Sequence, residues 1–102
     1  MHVSDCVDGL MYGYSHSRQK INLFNLGAES STCLSAVAYA VIHEMELPGV
    51  NVIFDPQDRG WPGDIPYLRY DMSQMRELGW CAKLSSDEAV RLAAREHIAE
   101  LA

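Results

Sequence analysis

Asp55-Pro56-Gln57-Asp58-Arg59-Gly60-Trp61-Pro62-Gly63-Asp64-Ile65-Pro66 divides the chain, with helix-forming patterns on either side of it. Three of the four prolines, two of the seven glycines and one of the two tryptophans fall inside it. Proline fixes φ and glycine admits φ > 0, so these spacings predict a loop of defined shape rather than a flexible linker. Arg59 stands alone between acids. Its planar, permanently charged fork suits a phosphate or a carboxylate, and Asp64 brings two acceptor oxygens suited to hydroxyl groups. The competing reading is a structural turn, with Arg59 paired to Asp58 or Asp64 and Trp61 capping a core.

Towards the N-terminus, residues 4–17 read as a helix. Ser4 is a cap candidate, Asp5 lies in the first turn, and Val7, Leu10, Met11 and Tyr14 share one face. Gly9 and Gly13 lie four apart on that helix. Each costs about 1 kcal/mol against alanine in a helix interior, which predicts close packing against the backbone. Residues 21–26 alternate in part and end at Gly27, so they read as a strand. Ser30, Ser31 and Thr32 offer caps for a second helix. Its apolar positions Leu34, Val37, Ala38, Val41, Ile42 and Met45 follow helical spacing until Pro48-Gly49. Residues 50–54 read as another short strand.

Beyond the loop, residues 67–70 read as extended. Asp71 and Gln74 have capping-box spacing for a short helix that carries Met75 and Leu78 inward and ends at Gly79, with Trp80 folding back onto the core. Ser85 and Glu88 repeat that spacing at the start of a final helix. Its apolar face is Val90, Ala93, Ala94, Ile98 and Leu101, with Arg91 and Arg95 outside. His97 interrupts the face and reads as a packed, hydrogen-bonded residue rather than a ligand.

Composition narrows the function classes. The 102 residues, 48% hydrophobic and 22% charged, suit one globular domain or a piece of a larger one. A net charge of −6 without a Lys/Arg cluster argues against nucleic-acid binding by phosphate neutralisation. Cys6, Cys33 and Cys81 are odd in number and form no C-x-x-C, so they read as reduced and mostly buried thiols. No apolar run approaches the ~18 residues of a membrane span, and a signal-peptide pattern is missing, so the expectation is a cytoplasmic protein without a membrane partner. The four histidines share no metal-ligand spacing, and His43-Glu44 fails as H-E-x-x-H because position 47 is Leu. The chain contains neither G-x-G-x-x-G nor a Walker sequence nor G-x-S-x-G, and no tyrosine has a lysine four residues on. It is poorly equipped to act as an enzyme alone.

Four motifs, in order, carry a resemblance. They are His2-Val3-Ser4-Asp5 with Val7 and Gly9; Phe24-Asn25-Leu26-Gly27; Asp58-Arg59-Gly60-Trp61-Pro62-Gly63-Asp64; and Asp71-Met72-Ser73-Gln74-Met75 followed by Leu78-Gly79-Trp80. Together they resemble the C-terminal third of the extended short-chain dehydrogenase/reductase family, the NAD-dependent nucleotide-sugar epimerases and dehydratases of the UDP-glucose 4-epimerase type. The second motif has Phe24 where the family has Tyr, the third carries Gly60-Trp61 as an insertion, and the fourth has Gln74 where the family has Lys.

The resemblance implies a mixed α/β fold of about four helices and a few short strands. Residues 1–102 would then be one segment, the C-terminal substrate-binding lobe with the end of the Rossmann part. It implies a fragment, preceded by about 200 residues that hold the Rossmann half, a size in line with ordinary domains. NAD would belong to that half, and this chain would bind no cofactor and hold no catalytic residue. Arg59 would bind the diphosphate of a nucleotide sugar and Asp64 its ribose hydroxyls, while His2 and Asp5 would be structural. The expected partners are the nucleotide diphosphate sugar, the Rossmann half and further copies of the chain, which would associate through a raw apolar surface. The reading from a different class is a small non-enzymatic protein-interaction module.

Overall fold

The four stretches with helical periodicity become four helices: α1 (Val3–His16), α2 (Leu34–Glu44), α3 (Ser73–Leu78) and α4 (Ser86–Leu101). Residues 1–57 and 60–102 are described by the structure, a computed structural model. The mixed α/β expectation is overturned, because the described residues contain helices and no strand. Residues 21–26, 50–54 and 67–70 have strand-like sequences but no ladder partner, and a strand is defined by its pairing. In 21–26 burial still alternates with the strand period: Asn22, Phe24 and Leu26 are half-buried while Ile21, Leu23 and Asn25 are exposed. Side chains take over part of the backbone bonding, Asn22 Nδ2 donating to the Gln19 carbonyl at 2.7 Å and Asn25 Nδ2 to that of Asp71 at 3.1 Å.

Helix ends follow sequence rules, with some exchanges of role. α4 opens with the expected capping box: Ser85 Oγ accepts from the Glu88 N–H at 3.2 Å, and Glu88 Oε2 accepts from the Ser85 N–H at 2.8 Å. At α3 the cap position is Met72, and Asp71 Oδ1 accepts from the Ser73 N–H at 2.9 Å. Gly79 then closes α3 at φ 98°, and the Trp80 N–H reaches back to the Met75 carbonyl at 2.9 Å. α2 ends the same way, with Glu46 at φ 52° in the left-handed position and the Leu47 N–H on the Ile42 carbonyl at 3.2 Å. The stop therefore falls just before Pro48-Gly49. The expected α2 caps serve elsewhere. Ser30 Oγ accepts from the Ser86 N–H at 2.8 Å, and the Thr32 hydroxyl donates to Asp87 Oδ1 at 2.6 Å, so both hold the start of α4. Cys33 occupies the α2 cap, its Sγ 3.0 Å from the hydroxyl of Ser35 in the first turn.

Two helix pairs make up the molecule. α2 and α4 run parallel: Thr32 and Asp87 join their starts, and Glu44 and Arg95 join them further along. The second pair is α1 with α3. α1 turns the other way from the expectation. Its apolar residues Val3, Val7, Leu10, Met11 and Tyr14 are exposed, and the buried face is Asp5, Gly9 and Gly13. A Cβ on Gly9 would lie 2.8 Å from both Leu26 Cδ2 and Trp80 Cζ2, so the missing side chain lets two large groups lie on the helix backbone. The buried core is Met72, Met75 and Trp80, with Tyr12, Phe24, Leu26, Leu78 and Ala82 packed around it. Three further expectations are corrected: Cys33 and Cys81 are exposed, Leu101 is exposed, and His97 lies in solvent 3.5 Å from Glu100 rather than packed in the core.

Polar groups tie the two pairs together. Asp5, 3% exposed, accepts from the Leu84 N–H through Oδ2 at 3.0 Å. Asp8 accepts from the Trp80 indole N–H at 2.9 Å. His2 caps α1 by accepting from the Ser4 N–H at Nδ1, 3.3 Å away, which leaves the ring proton on Nε2, 2.9 Å from Glu96 Oε2 on α4. Among the described residues no buried side-chain polar atom lacks a partner. His2 and Asp5 are thus structural pins that join the start of α1 to the last third of the chain.

Candidate functional site

The loop at 55–66 is exposed along its described length and is shaped by its own short-range bonds. Asp55 Oδ1 accepts from the Gln57 N–H at 3.2 Å, the side-chain turn that aspartate favours at loop starts. The Asp64 N–H donates to the Trp61 carbonyl at 3.0 Å, closing a turn with Pro62 and Gly63 at its two central positions. Asp64 Oδ2 accepts from the Gly60 N–H at 3.3 Å, so the carboxylate staples its own loop. The Trp61 ring lies over Gly63 so closely that a Cβ there would overlap it, yet the residue remains 66% exposed. This Trp does not cap a core.

Of the two residues assigned to the site, Asp64 therefore sits on a stapled turn in solvent. Arg59, expected to bind phosphate, and its neighbour Asp58 lie outside the described residues. Other expected parts of the motifs find clear packing roles. Phe24 and Leu26 face the core, Asn25 anchors residue 71, and Gly27 receives the Tyr70 ring, whose Cδ2 would lie 2.8 Å from a Cβ there.

A separate cleft of about 740 Å³ lies between the end of α1, the following segment and α3. Its polar lining includes Arg18, Gln19, Asn22, Gln74 and Glu77, of which only Gln74 had stood out in the sequence, as a helix-cap partner and a motif position. The groups with displaced acidities lie elsewhere. Hydrogen bonds from the Ser73 backbone and side chain hold Asp71 below the usual carboxylate range, and those from Ser85 do the same to Glu88. The Ser35 hydroxyl, aided by the Ala36 N–H, lowers the Cys33 thiol. Each of these serves a turn or a helix start. Among the described residues no group of three His, Cys, Asp or Glu side chains could hold a metal ion. No helix is long and apolar enough to cross a membrane, again among the described residues.

Sequence reasoning missed the contacts between distant segments: Asp8 with Trp80, His2 with Glu96, and Glu44 with Arg95. The one available signal was Asp5 and Asp8 at i, i+3, which places both acids towards one side of α1. Compared with known proteins, the chain matches no family model, no curated protein and no solved structure.

Proposed function

We propose that this chain is the nucleotide-sugar-binding segment of an NAD-dependent sugar-nucleotide epimerase or dehydratase, working with a separate dinucleotide-binding half that supplies NAD and the catalytic residues. Arg59 takes the diphosphate and Asp64 the ribose hydroxyls. The reading is supported by the four motifs in order. The observation that carries it is the placement of Asp64, exposed to solvent on a turn that its own carboxylate staples through the Gly60 N–H. A carboxylate in that state accepts hydroxyl protons and repels phosphate, which leaves the phosphates to the arginine. Exposed apolar side chains at Ile21, Leu23, Ile53 and Phe54 supply surface for the second half.

Titration of the chain with UDP-glucose, followed by backbone amide shifts, tests this directly. Shifts should concentrate in 55–66, and Arg59→Ala or Asp64→Ala should weaken binding roughly tenfold, the loss of about 1.4 kcal/mol. Affinity unchanged by both substitutions would remove the assignment. A non-enzymatic interaction module is favoured by one observation, the apolar outer face of α1. It predicts no shifts in that titration at all.

A further inference from the structure

We propose that the outer face of α1 is a self-complementary docking seam, on which a second copy of this chain seats its own α1 antiparallel. The proposal extends the expectation that copies associate and is independent of the nucleotide reading. Val3, Val7, Leu10 and Tyr14 are 66%, 54%, 59% and 81% exposed. Their spacings of four, three and four are those of a two-heptad coiled-coil seam, a pattern that fits another helix. At about 100° per residue the stripe lies opposite the Gly9 face that packs on Trp80, so docking leaves the protomer's own packing intact.

Two observations select a second copy as the occupant. The positions that flank the seam, Ser4, Cys6, Met11 and Gly13, are uncharged, so two copies of an acidic chain meet there without repulsion. Antiparallel pairing sets Val3 against Tyr14 and Val7 against Leu10, so small meets large in all four layers, whereas parallel pairing stacks Tyr14 on Tyr14. With Met11 included, the stripe leaves roughly 600 Å² exposed per copy, about 1,200 Å² for a pair, the lower limit of stable interfaces. The dimer is therefore weak and reversible.

Sedimentation equilibrium on the full chain tests the proposal. Between about 5 and 500 µM the average mass should rise from one chain towards two, as expected for a micromolar dissociation constant. The double variant Val7→Glu/Leu10→Glu should stay monomeric at the top concentration with its helical circular dichroism unchanged, since both side chains are exposed in the protomer. Orientation is read in a background with Cys6, Cys33 and Cys81 changed to Ser. Chains carrying Val3→Cys and chains carrying Tyr14→Cys should cross-link to each other on oxidation. Two Val3→Cys chains should not, because antiparallel pairing keeps those positions about 16 Å apart. A parent chain monomeric at 500 µM, an associating double variant, or open-ended aggregation would each overturn the seam, and a Val3→Cys homodimer would overturn the orientation.

Discussion

Gly9 has Leu26 on one side and the Trp80 ring on the other, each at 2.8 Å from where a Cβ would stand. Alanine there gains about 1 kcal/mol of helix propensity but pushes into the core, where overpacking costs about 1–3 kcal/mol. Gly9→Ala should therefore lower the urea midpoint, whereas an exposed, unhindered helical glycine would raise it on the same change. Glu46 gives the opposite sign. It holds a left-handed φ of 52° at the end of α2, a conformation that costs a side chain about 1 kcal/mol and glycine nothing. Glu46→Gly should stabilise the protein by up to about 1 kcal/mol in a denaturant titration, and a loss of stability would show that its side chain has a partner. At Met75, the one large side chain among the described residues that is fully buried, truncation to alanine should cost about 2–5 kcal/mol.

Among elements, the α2–α4 pair is clamped by Arg95, whose Nε and Nη2 donate to the two oxygens of Glu44 at 2.7 and 3.1 Å. Those hydrogen bonds, more than the charge itself, hold Glu44 below its ordinary value of 4.5. A carboxylate whose acidity is strengthened by folding contributes stability that is whole above the unfolded value and is lost as pH falls through the folded one. The urea midpoint of the parent should thus exceed that of Glu44→Gln at pH 7, and the gap should close as pH drops below about 4.5. Elements were also where the sequence was most legible. Apolar spacing located all four helices, and Ser85 with Glu88 located the start of α4. Which face of α1 turns inward was only half legible, since Gly9 and Gly13 did announce the close backbone packing that the structure shows. Hydrophobic periodicity pointed to Val7 and Leu10, but the absence of side chains at Gly9 and Gly13 allowed a closer approach of Trp80 and Phe24. Strand pairing was hidden, since alternation in 21–26 describes one chain and a ladder needs two. At the candidate site, Pro/Gly spacing announced a shaped turn, while the bond from Gly60 to the Asp64 carboxylate depends on a backbone path that residue types do not specify.

As a whole the molecule is wide and thin, 54 × 35 × 18 Å, with a radius of gyration of 16.9 Å where a compact chain of this length has about 13 Å. Its apolar material is spread over two helix pairs and a long exposed loop rather than gathered in one centre, which is why so much of it faces outward. Small-angle scattering at low concentration should return a radius near 16.9 Å, and collapse to about 13 Å would mean that the helix pairs close on each other. The two tryptophans fall on opposite sides of this division. Trp80 is 5% exposed and hydrogen-bonded to Asp8, while Trp61 is 66% exposed beside the proposed ligand. One fluorophore is shielded and the other wet, so acrylamide should quench only part of the emission. Excitation of the unlabelled protein thus reads two events separately: a red shift from the shielded ring as the core opens, and a change in the quenchable fraction as the loop is occupied.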